Sequence, residues 1–243
     1  MSKMIGIVGG VGTFAGIDIL RKIYQLTDAR IDQDHLPLAL VSVPHKVADR
    51  ALYLEGKVKE NPGIAIAEII TTLASAGAEI IGIPCNAAHS PAIFNEIKRR
   101  IPGGIRLLHL IEEVSSYIAS DFPKIRKAGI LGTNATYLSK VYTDVLSLHD
   151  IETIYPEERV QKSVVHPAIY HVEYGIKAYS DPVTDKARQD LLEVALSLSR
   201  QGADAIILGC SEIPLAIHET MIGQSVVIDS TSIFARALIS KSL

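Results

Sequence analysis

Apolar and polar positions follow two patterns that alternate along the whole chain. Short continuous apolar runs, which are typical of strands buried on both faces of a parallel sheet, recur throughout. The strands predicted from these runs are Met4–Val8, Pro37–Val43, Glu79–Ile83, Ile105–His109, Lys127–Leu131, Ile151–Ile154, Asp204–Leu208 and Ser225–Ile228. Between them lie amphipathic stretches that predict helices, among them Phe14–Thr27, Ile64–Ala76, Leu138–Leu148 and Thr184–Gln201. The alternation predicts an α/β protein whose parallel sheets are flanked by helices.

The chain also repeats part of its own pattern. Residues 73–85 (LASAGAEIIGIPC) align without a gap with residues 198–210 (LSRQGADAIILGC), and five positions are identical. Residues 6–10 match residues 129–133 in the same order and at nearly the same separation. We therefore expect two similar lobes related by pseudo-twofold symmetry. The first comprises residues 1–115 with a returning C-terminal helical segment, 226–243, and the second comprises residues 116–225.

The repeat gives the two cysteines of the chain corresponding positions. Cys85 and Cys210 each follow a predicted strand and precede a helix start. Ligands of open parallel sheets bind beyond the carboxyl ends of the strands, so we expect both thiols in one cleft between the lobes. The N–H groups and dipole of a following helix favour a thiolate there. Simple packing is the alternative, because free cysteines are among the most often buried residues.

Two opposed thiols allow a reaction that one thiol does not. A free cysteine has a pKa of about 8.5, so modest help makes it a base near neutral pH. One thiolate can remove a proton from one face of a substrate carbon while the other thiol donates a proton to the opposite face. The carbon inverts, and no cofactor is needed. A single nucleophilic cysteine would instead need a nearby histidine and an orienting group for acyl transfer.

Composition narrows the range of partners. The chain has 243 residues, of which 48% are hydrophobic and 21% charged, and its net charge is −3. No basic stripe offers a nucleic-acid surface, and no apolar segment approaches the ~20 residues of a membrane span. Glycines interrupt the apolar N-terminal stretch, which makes it a poor signal-peptide core. We expect a cytoplasmic protein without nucleic-acid or membrane partners, whose thiols stay free in a reducing compartment.

Two other kinds of site fit the sequence less well. Residues 10–16 have a loose Gly-x-Gly-x-x-x-Gly spacing, but the next strand does not end on the acid that a dinucleotide site requires. Cys85 and His89 have helical spacing, yet no cluster has the ligand spacing of zinc. We expect no cofactor and no metal. His89 is then a cap or a support behind Cys85. Glu212, two residues after Cys210, is either a surface residue or placed to tune that thiol.

The residues around both cysteines resemble the aspartate/glutamate racemase superfamily. That family carries Pro-Cys-Asn-Thr-Ala-His at its first cysteine and Gly-Cys-Thr-Glu at its second, and this chain has PCNAAH at 84–89 and GCSE at 209–212. Glutamate racemases typically have Thr-His after the second cysteine and Asp-Ser-Gly near the N-terminus, so this chain resembles the aspartate branch. The resemblance covers nearly the whole chain. It implies a cofactor-independent racemase of L- and D-aspartate with Cys85 and Cys210 as the proton-transfer pair.

The resemblance also implies residues that bind a dicarboxylic amino acid. Arg50 would hold one carboxylate bidentately, and Lys177 would add a compact positive charge. Backbone N–H groups after Cys85 and Thr133 would take the other carboxylate. The implied substrate-binding residues are Gly10, Val11, Arg50, Asn86, Ala87, Thr133, Asn134, Thr136, Lys177 and Ser211. Ala87 stands where the family usually has threonine, which bears on substrate preference.

Other functions of the same scaffold stay open at this stage. Glutamate, or both acidic amino acids, are alternative substrates. A maleate-isomerase-like reaction also uses two cysteines, whereas decarboxylation typically uses one. A protein of another class, a catalytically silent amino-acid binder, would need the anion sites but not the thiols. The family is often dimeric, so the resemblance implies a homodimer.

Overall fold

The computed structural model of the chain describes residues 2–243, which form nine strands and eleven α-helices. The strands are β1 Ile5–Gly9, β2 Leu38–Ser42, β3 Ile80–Gly82, β4 Arg106–Leu107, β5 Lys127–Leu131, β6 Glu152–Ile154, β7 Ala205–Leu208, β8 Met221–Ile222 and β9 Ser225–Asp229. The longer helices are α1 Thr13–Leu26, α3 Pro62–Ser75, α4 Pro91–Arg100, α5 Leu110–Asp121, α10 Asp185–Arg200 and α11 Ser230–Ser242.

Shorter helical segments lie in the connections between the strands and the longer helices. The short α-helices are α2 Arg50–Leu54, α6 Asn134–Ser139, α7 Val141–Ser147, α8 Glu158–Val160 and α9 His166–Tyr170. A π-helical segment, Gln161–Val165, joins α8 to α9, so residues 158–170 are helical without a break. The 3-10 helices are Asp32–Asp34, Pro44–Lys46, Asn86–His89 and Ile213–Leu215.

The chain divides into two compact units, each built around one sheet. Unit 1 comprises residues 1–113 and 231–243, and unit 2 comprises residues 114–230. The sheet of unit 1 has the order β2-β1-β3-β4 and is entirely parallel. The sheet of unit 2 has the order β6-β5-β7-β9-β8, in which only β8 is antiparallel. The predicted α/β class with parallel sheets flanked by helices is confirmed.

The two sheets repeat one plan. In each, the first strand of the unit lies between its second and third strands, so that β1 corresponds to β5 and β3 to β7. Both first strands carry a glycine beneath a helix: a Cβ built on Gly6 would lie 3.2 Å from Leu73 Cβ, and one built on Gly129 would lie 3.1 Å from Leu198 Cβ. Leu73 and Leu198 are corresponding positions of the repeat in α3 and α10. The repeat in the sequence therefore reflects the same close packing of helix on strand in both units.

Both faces of the sheet of unit 1 are covered. Successive strand residues point to opposite faces, and the Gly6 face lies under α3. A Cβ built on Gly82, on the opposite face from its neighbour Ile81, would lie 2.8 Å from Leu238 and 3.2 Å from Phe234 of α11. The C-terminal helix thus covers the face that α3 leaves open, and this explains the continuous apolar pattern of the strands.

The structure differs from the sequence-based expectations in a few elements. The two-residue strand β8 was not predicted. The predicted helix 138–148 is broken into α6 and α7 at Lys140, which adopts the left-handed conformation with φ 51°. The predicted strand Ser225–Ile228 is present as β9 and belongs to the sheet of unit 2, so the returning segment begins with the C-terminal helix at Ser230 and not at residue 226.

Candidate active site

Cys85 lies just past the carboxyl end of β3, at the start of the 3-10 helix Asn86–His89. Its backbone is extended, its N–H donates to the Ile83 carbonyl at 2.8 Å, and its carbonyl accepts from Ala88 N at 3.1 Å. These bonds form a tight turn, and Cys85 is 8% exposed. Cys85 therefore lies on a hydrogen-bonded turn and is largely buried.

His89 supports this turn from the interior of unit 1. Its Nε2 lies 3.1 Å from the Ile83 carbonyl, and since a carbonyl only accepts, Nε2 carries the proton. Burial, with a smaller contribution from nearby His109, lowers the pKa of His89 to about 3. His89 is therefore a neutral donor to the main chain two residues before Cys85, and its supporting role toward that thiol stays a prediction.

The other unit 1 candidates follow β1 and β2 at the same edge of the sheet. Gly10 has φ 75°, and a Cβ there would lie 2.9 Å from Pro44 N, so the loop after β1 approaches the loop after β2 as only glycine allows. Val11 is 3% exposed. Arg50 begins α2, which Asp49 caps by accepting from two backbone N–H groups. Although charged, Arg50 is 7% exposed.

The parallel strands place these candidates near the thiol. The carboxyl ends of β1, β2 and β3 meet at one edge, and α2 packs against the 3-10 helix that follows Cys85. Asn86 and Ala87 on that helix are 2% and 7% exposed. Unit 1 thus gathers a buried guanidinium, an amide and a thiol at one edge, which suits an anionic ligand.

Cys210 occupies the corresponding edge of unit 2, past the carboxyl end of β7. It is also 8% exposed, and its carbonyl also accepts from the residue three positions on, Ile213, at 3.0 Å. The thiol donates toward Glu212 Oε2 at 4.0 Å. The same carboxylate oxygen lies 2.5 Å from Lys177 Nζ. Cys210, Glu212 and Lys177 therefore form one hydrogen-bonded group in which Cys210 and Glu212 are buried and Lys177 is partly exposed, and Ser211 beside them is 3% exposed.

The loop after β5 lies next to this group. Thr133 caps α6 by accepting from Thr136 N at 3.5 Å, and the Thr136 hydroxyl donates to the Gly209 carbonyl at 3.0 Å. The residue before Cys210 is thus tied to the loop that carries the threonines. Thr136 is 1% exposed, so its hydroxyl holds the loop in place.

Asn134 is held by two residues that the sequence analysis did not single out. Gln161 Nε2 donates to the Gly132 carbonyl at 3.0 Å and to Asn134 Oδ1 at 3.2 Å. The Asn134 backbone N–H donates to His166 Nδ1 at 3.3 Å. The N–H groups of Asn134 and Thr136 are therefore used within the protein instead of being left for a substrate carboxylate. No motif marks Gln161 or His166, because their role depends on the helical segment 158–170.

Tyr142 is a third residue that the sequence analysis did not single out. It is fully buried, and a Cβ built on Gly209 would lie 3.3 Å from its ring. Burial raises the pKa of Tyr142 above its ordinary value, while a hydrogen bond with Ser230 acts in the opposite direction. The phenol therefore stays neutral beneath the strand end that presents Cys210.

The structure also bears on metal and membrane sites. Across residues 2–243, no three His, Cys, Asp or Glu side chains are grouped so that they could hold a metal ion. None of the helices in that range has the length and apolar character that crossing a bilayer requires.

Comparisons with known proteins place the chain in a family. Residues 8–238 match the family described as Asp/Glu/Hydantoin racemase. The broad specificity amino-acid racemase RacX of Bacillus subtilis (strain 168) is 27% identical over 247 residues, which cover 99% of this chain and 98% of that protein. The chain is similar to the structure of Picrophilus torridus aspartate racemase, with a TM-score of 0.81, 30% identity and coverage of 99% and 94% of the two chains.

A further structure supports the fold. An aspartate racemase homologue from Pyrococcus horikoshii OT3 superposes with a TM-score of 0.75 at 23% identity and covers 99% of its length and all of this chain. The family match extends over both units and includes both cysteines. The chain therefore belongs to the Asp/Glu/Hydantoin racemase family and is an amino-acid racemase, an isomerase.

Proposed function

We propose that the protein interconverts L- and D-aspartate without a cofactor, using Cys85 and Cys210 as its two acid–base groups. The observation that carries the proposal is the matched placement of the two thiols. Each follows the third strand of its unit, each carbonyl accepts from the residue three positions on, and each cysteine is 8% exposed. Cysteines that merely fill a core have no reason to share all three features.

The reaction needs only proton transfers. The thiolate of one cysteine takes the Cα proton and becomes a thiol, while the thiol of the other gives its proton to the opposite face of Cα and becomes a thiolate. Charge and proton number are unchanged, and the enzyme is left ready for the reverse reaction. The carbanion-like transition state gains negative charge on the α-carboxylate, so cationic groups and N–H donors that face it lower the barrier.

Two cationic side chains support a dicarboxylic substrate. Arg50 is buried at the unit 1 edge and has the planar fork that binds a carboxylate bidentately. Lys177 lies in unit 2 with its ammonium on Glu212, beside Cys210. We infer that Arg50 binds one carboxylate and that Lys177 contributes charge at the other. Asn86, Asn134 and Ser211 then supply neutral contacts.

A second candidate is a wider substrate range. The similarity to RacX, a broad specificity racemase, extends over 99% of this chain, and Ala87 lacks the hydroxyl that the family usually has at that position. A smaller side chain there leaves room for substrates other than aspartate. Glutamate is the first alternative to test, followed by neutral amino acids.

The test is to incubate the protein with L-aspartate in D₂O, without any cofactor and after treatment with a chelator. Deuterium at Cα and D-aspartate are measured together, and glutamate and neutral amino acids are run in parallel. We expect exchange and racemisation of aspartate, and the loss of racemisation in both Cys85→Ala and Cys210→Ala. Full activity in either variant would overturn the two-thiol proposal. Faster racemisation of a neutral amino acid would favour the broad-specificity alternative.

Two outcomes would move the function elsewhere. Conversion of maleate with no exchange of any amino acid would indicate an isomerase of the maleate type. Binding of aspartate with no exchange would indicate a silent binder.

We further propose that the enzyme works in the reducing cytoplasm, where its two free, buried thiols stay reduced. We also propose that it is a homodimer. Light scattering of the purified protein would give a monomer mass if the dimer proposal is wrong.

A further inference from the structure

The helical segment 158–170 holds the Asn134 loop through two side chains, Gln161 and His166. Gln161 is 1% exposed, and its amide donates to both the Gly132 carbonyl and Asn134 Oδ1. His166 accepts from the Asn134 backbone N–H. Both contacts converge on one residue of the loop after β5, so the segment fixes the main chain and the side chain of Asn134 together.

The π-helical turn is what brings the two side chains together. In an α-helix, residues five apart differ in direction by about 140°, because each residue turns about 100°. Here the His166 N–H bonds to the Gln161 carbonyl, which is the i→i+5 bond of a π-helix. The extra residue in the turn aligns positions 161 and 166 on one side of the helix. A regular α-helix would point one of them away from Asn134.

The hydrogen bonds also fix the orientation of the Asn134 side-chain amide. The Gly132 carbonyl can only accept, so the Gln161 atom next to it must be the NH₂ group. That NH₂ group also faces the Asn134 side chain, so Asn134 must turn its carbonyl oxygen toward Gln161. The Asn134 NH₂ group is then directed away from Gln161.

The same reasoning settles the tautomer of His166. The Asn134 N–H can only donate, so His166 Nδ1 is unprotonated and the ring proton of the neutral form lies on Nε2. The His166 ring stacks on Tyr170 at 4.5 Å, and Lys177 Nζ lies 5.0 Å from the centre of the Tyr170 ring. The helical segment 158–170 therefore contacts the Asn134 loop and, through the Tyr170 ring, the ammonium group of Lys177.

We propose that Gln161 and His166 are positioning residues that orient Asn134 so that its amide offers N–H donors, and not its carbonyl oxygen, to a substrate carboxylate. This inference rests on the proposed racemase function, in which Asn134 contacts substrate. An amide fixed in this sense favours an anion over an ammonium group. Neither residue needs to touch the substrate, since both act through Asn134.

The first test is a double-mutant cycle between Gln161→Met and Asn134→Ala. Methionine keeps the length of the side chain and removes both donors. We expect Gln161→Met to raise KM for aspartate about tenfold, with a smaller fall in kcat, because the lost contact binds the carboxylate throughout the reaction. In the Asn134→Ala background, the same change should cost less than about twofold. If the effects of the two substitutions on KM multiply fully in the double variant, the proposal is wrong, since Gln161 then acts independently of Asn134.

The second test concerns His166. An asparagine side chain offers a carbonyl oxygen close to the position of Nδ1, so His166→Asn should retain most of the activity, while His166→Leu should raise KM. Equal losses in both would contradict the acceptor role. Ser163→Ala is the matched control, because this exposed residue of the same segment donates only to the Arg159 carbonyl. Its KM should equal that of the wild type.

A third measurement does not depend on turnover. The side-chain NH₂ signals of Asn134, assigned by their loss in Asn134→Ala, are followed by NMR in ¹⁵N-labelled protein. We expect them to shift in Gln161→Met without substrate and to stay in place in Ser163→Ala. Unmoved signals would overturn the positioning role even in an active enzyme. If the signals shift but the protein exchanges the Cα hydrogen of no amino acid, the positioning of Asn134 by Gln161 is supported and the proposed function is wrong.

Discussion

Lys177 and Glu212 form an ion pair in which Nζ lies 2.5 Å from Oε2 and the carboxylate side chain is 5% exposed. The same oxygen accepts from the Cys210 thiol. The ion pair therefore connects Lys177, which is expected to bind substrate, with Cys210, which is expected to act as an acid–base group. A carboxylate that accepts from a thiol stabilises its protonated form, and an adjacent negative charge opposes the thiolate. Glu212 thus favours the protonated thiol of Cys210 over the thiolate.

Removing that charge should therefore raise the thiolate fraction of Cys210 at a given pH. Glu212→Gln keeps the shape of the side chain and removes the charge. With only two cysteines in the chain, the ¹³Cβ signals of both can be titrated by NMR. We expect the Cys210 titration to move to lower pH. An unmoved Cys210 titration would contradict the link.

Arg50→Lys should weaken substrate binding even though lysine keeps the positive charge. A lysine cannot form the two parallel hydrogen bonds of a guanidinium with a carboxylate. We expect KM for aspartate to rise at least tenfold, as steady-state kinetics would show. Arg99→Lys is the control, since the Arg99 side chain is 74% exposed. A wild-type KM in Arg50→Lys would remove Arg50 from the binding site.

Gly6, beneath α3, should tolerate an added methyl group less well than Gly129, beneath α10. A Cβ on Gly6 would lie 2.8 Å from Ala78 Cβ, which cannot move aside, whereas at Gly129 the nearest atom, at 2.9 Å, is the flexible end of Ile206. Overpacking costs about 1–3 kcal/mol, so we expect Gly6→Ala to destabilise the fold by about 2 kcal/mol and Gly129→Ala by less. Urea unfolding measures both. Gly103→Ala, with nothing within 4 Å, should be close to neutral.

Buried His89 should make stability depend on pH. Its pKa is about 3 in the fold and 6.5 in the unfolded chain. Between these values the unfolded state binds a proton that the folded state does not, so stability falls as the pH is lowered from 6.5 toward 3. The slope is at most about 1.4 kcal/mol per pH unit.

The matching variant is His89→Gln, in which the amide still donates to the Ile83 carbonyl but does not titrate. Unfolding free energies measured by urea between pH 7 and pH 4 should show a flatter dependence than in the wild type. The exposed His149 provides the control, and His149→Gln should keep the wild-type slope. An equally steep slope in His89→Gln would assign the pH dependence to other groups.

Much of the fold could be predicted because its signals are local. The strand β7 and all of β5 after Lys127 are continuous apolar runs, and the repeat predicted that the strands before the two cysteines correspond. In the structure Gly6 pairs with Ile81 and Gly129 with Ile206, which is the same register in both units. Elements without such signals were missed. A strand of two residues has no period to detect, and the left-handed Lys140 interrupts a sequence that is amphipathic throughout.

Residues of the candidate site could be named from the sequence where motifs surround them, and not where segments distant in sequence meet. The neighbours of Cys85 and Cys210 carry family motifs, so Asn86, Ser211 and Glu212 could be named. Gln161 and His166 act on Asn134 from 27 and 32 positions away. Their effect depends on a helical turn that no composition or spacing predicts. Tyr142 looked like any buried aromatic residue of a helix.

The π-helical turn also makes chain length a functional property of this region. Deleting one residue between Gln161 and His166 would allow a regular α-helix in which the two side chains, then four positions apart, still lie on one side. Such a shortened protein would gain helical regularity and keep its hold on the loop, whereas a regular α-helix of unchanged length would turn one of the two side chains away from Asn134. Comparative studies of related chains should therefore count the residues in this segment as well as identify them, because the number of residues and the kind of helical turn together decide whether both side chains reach Asn134.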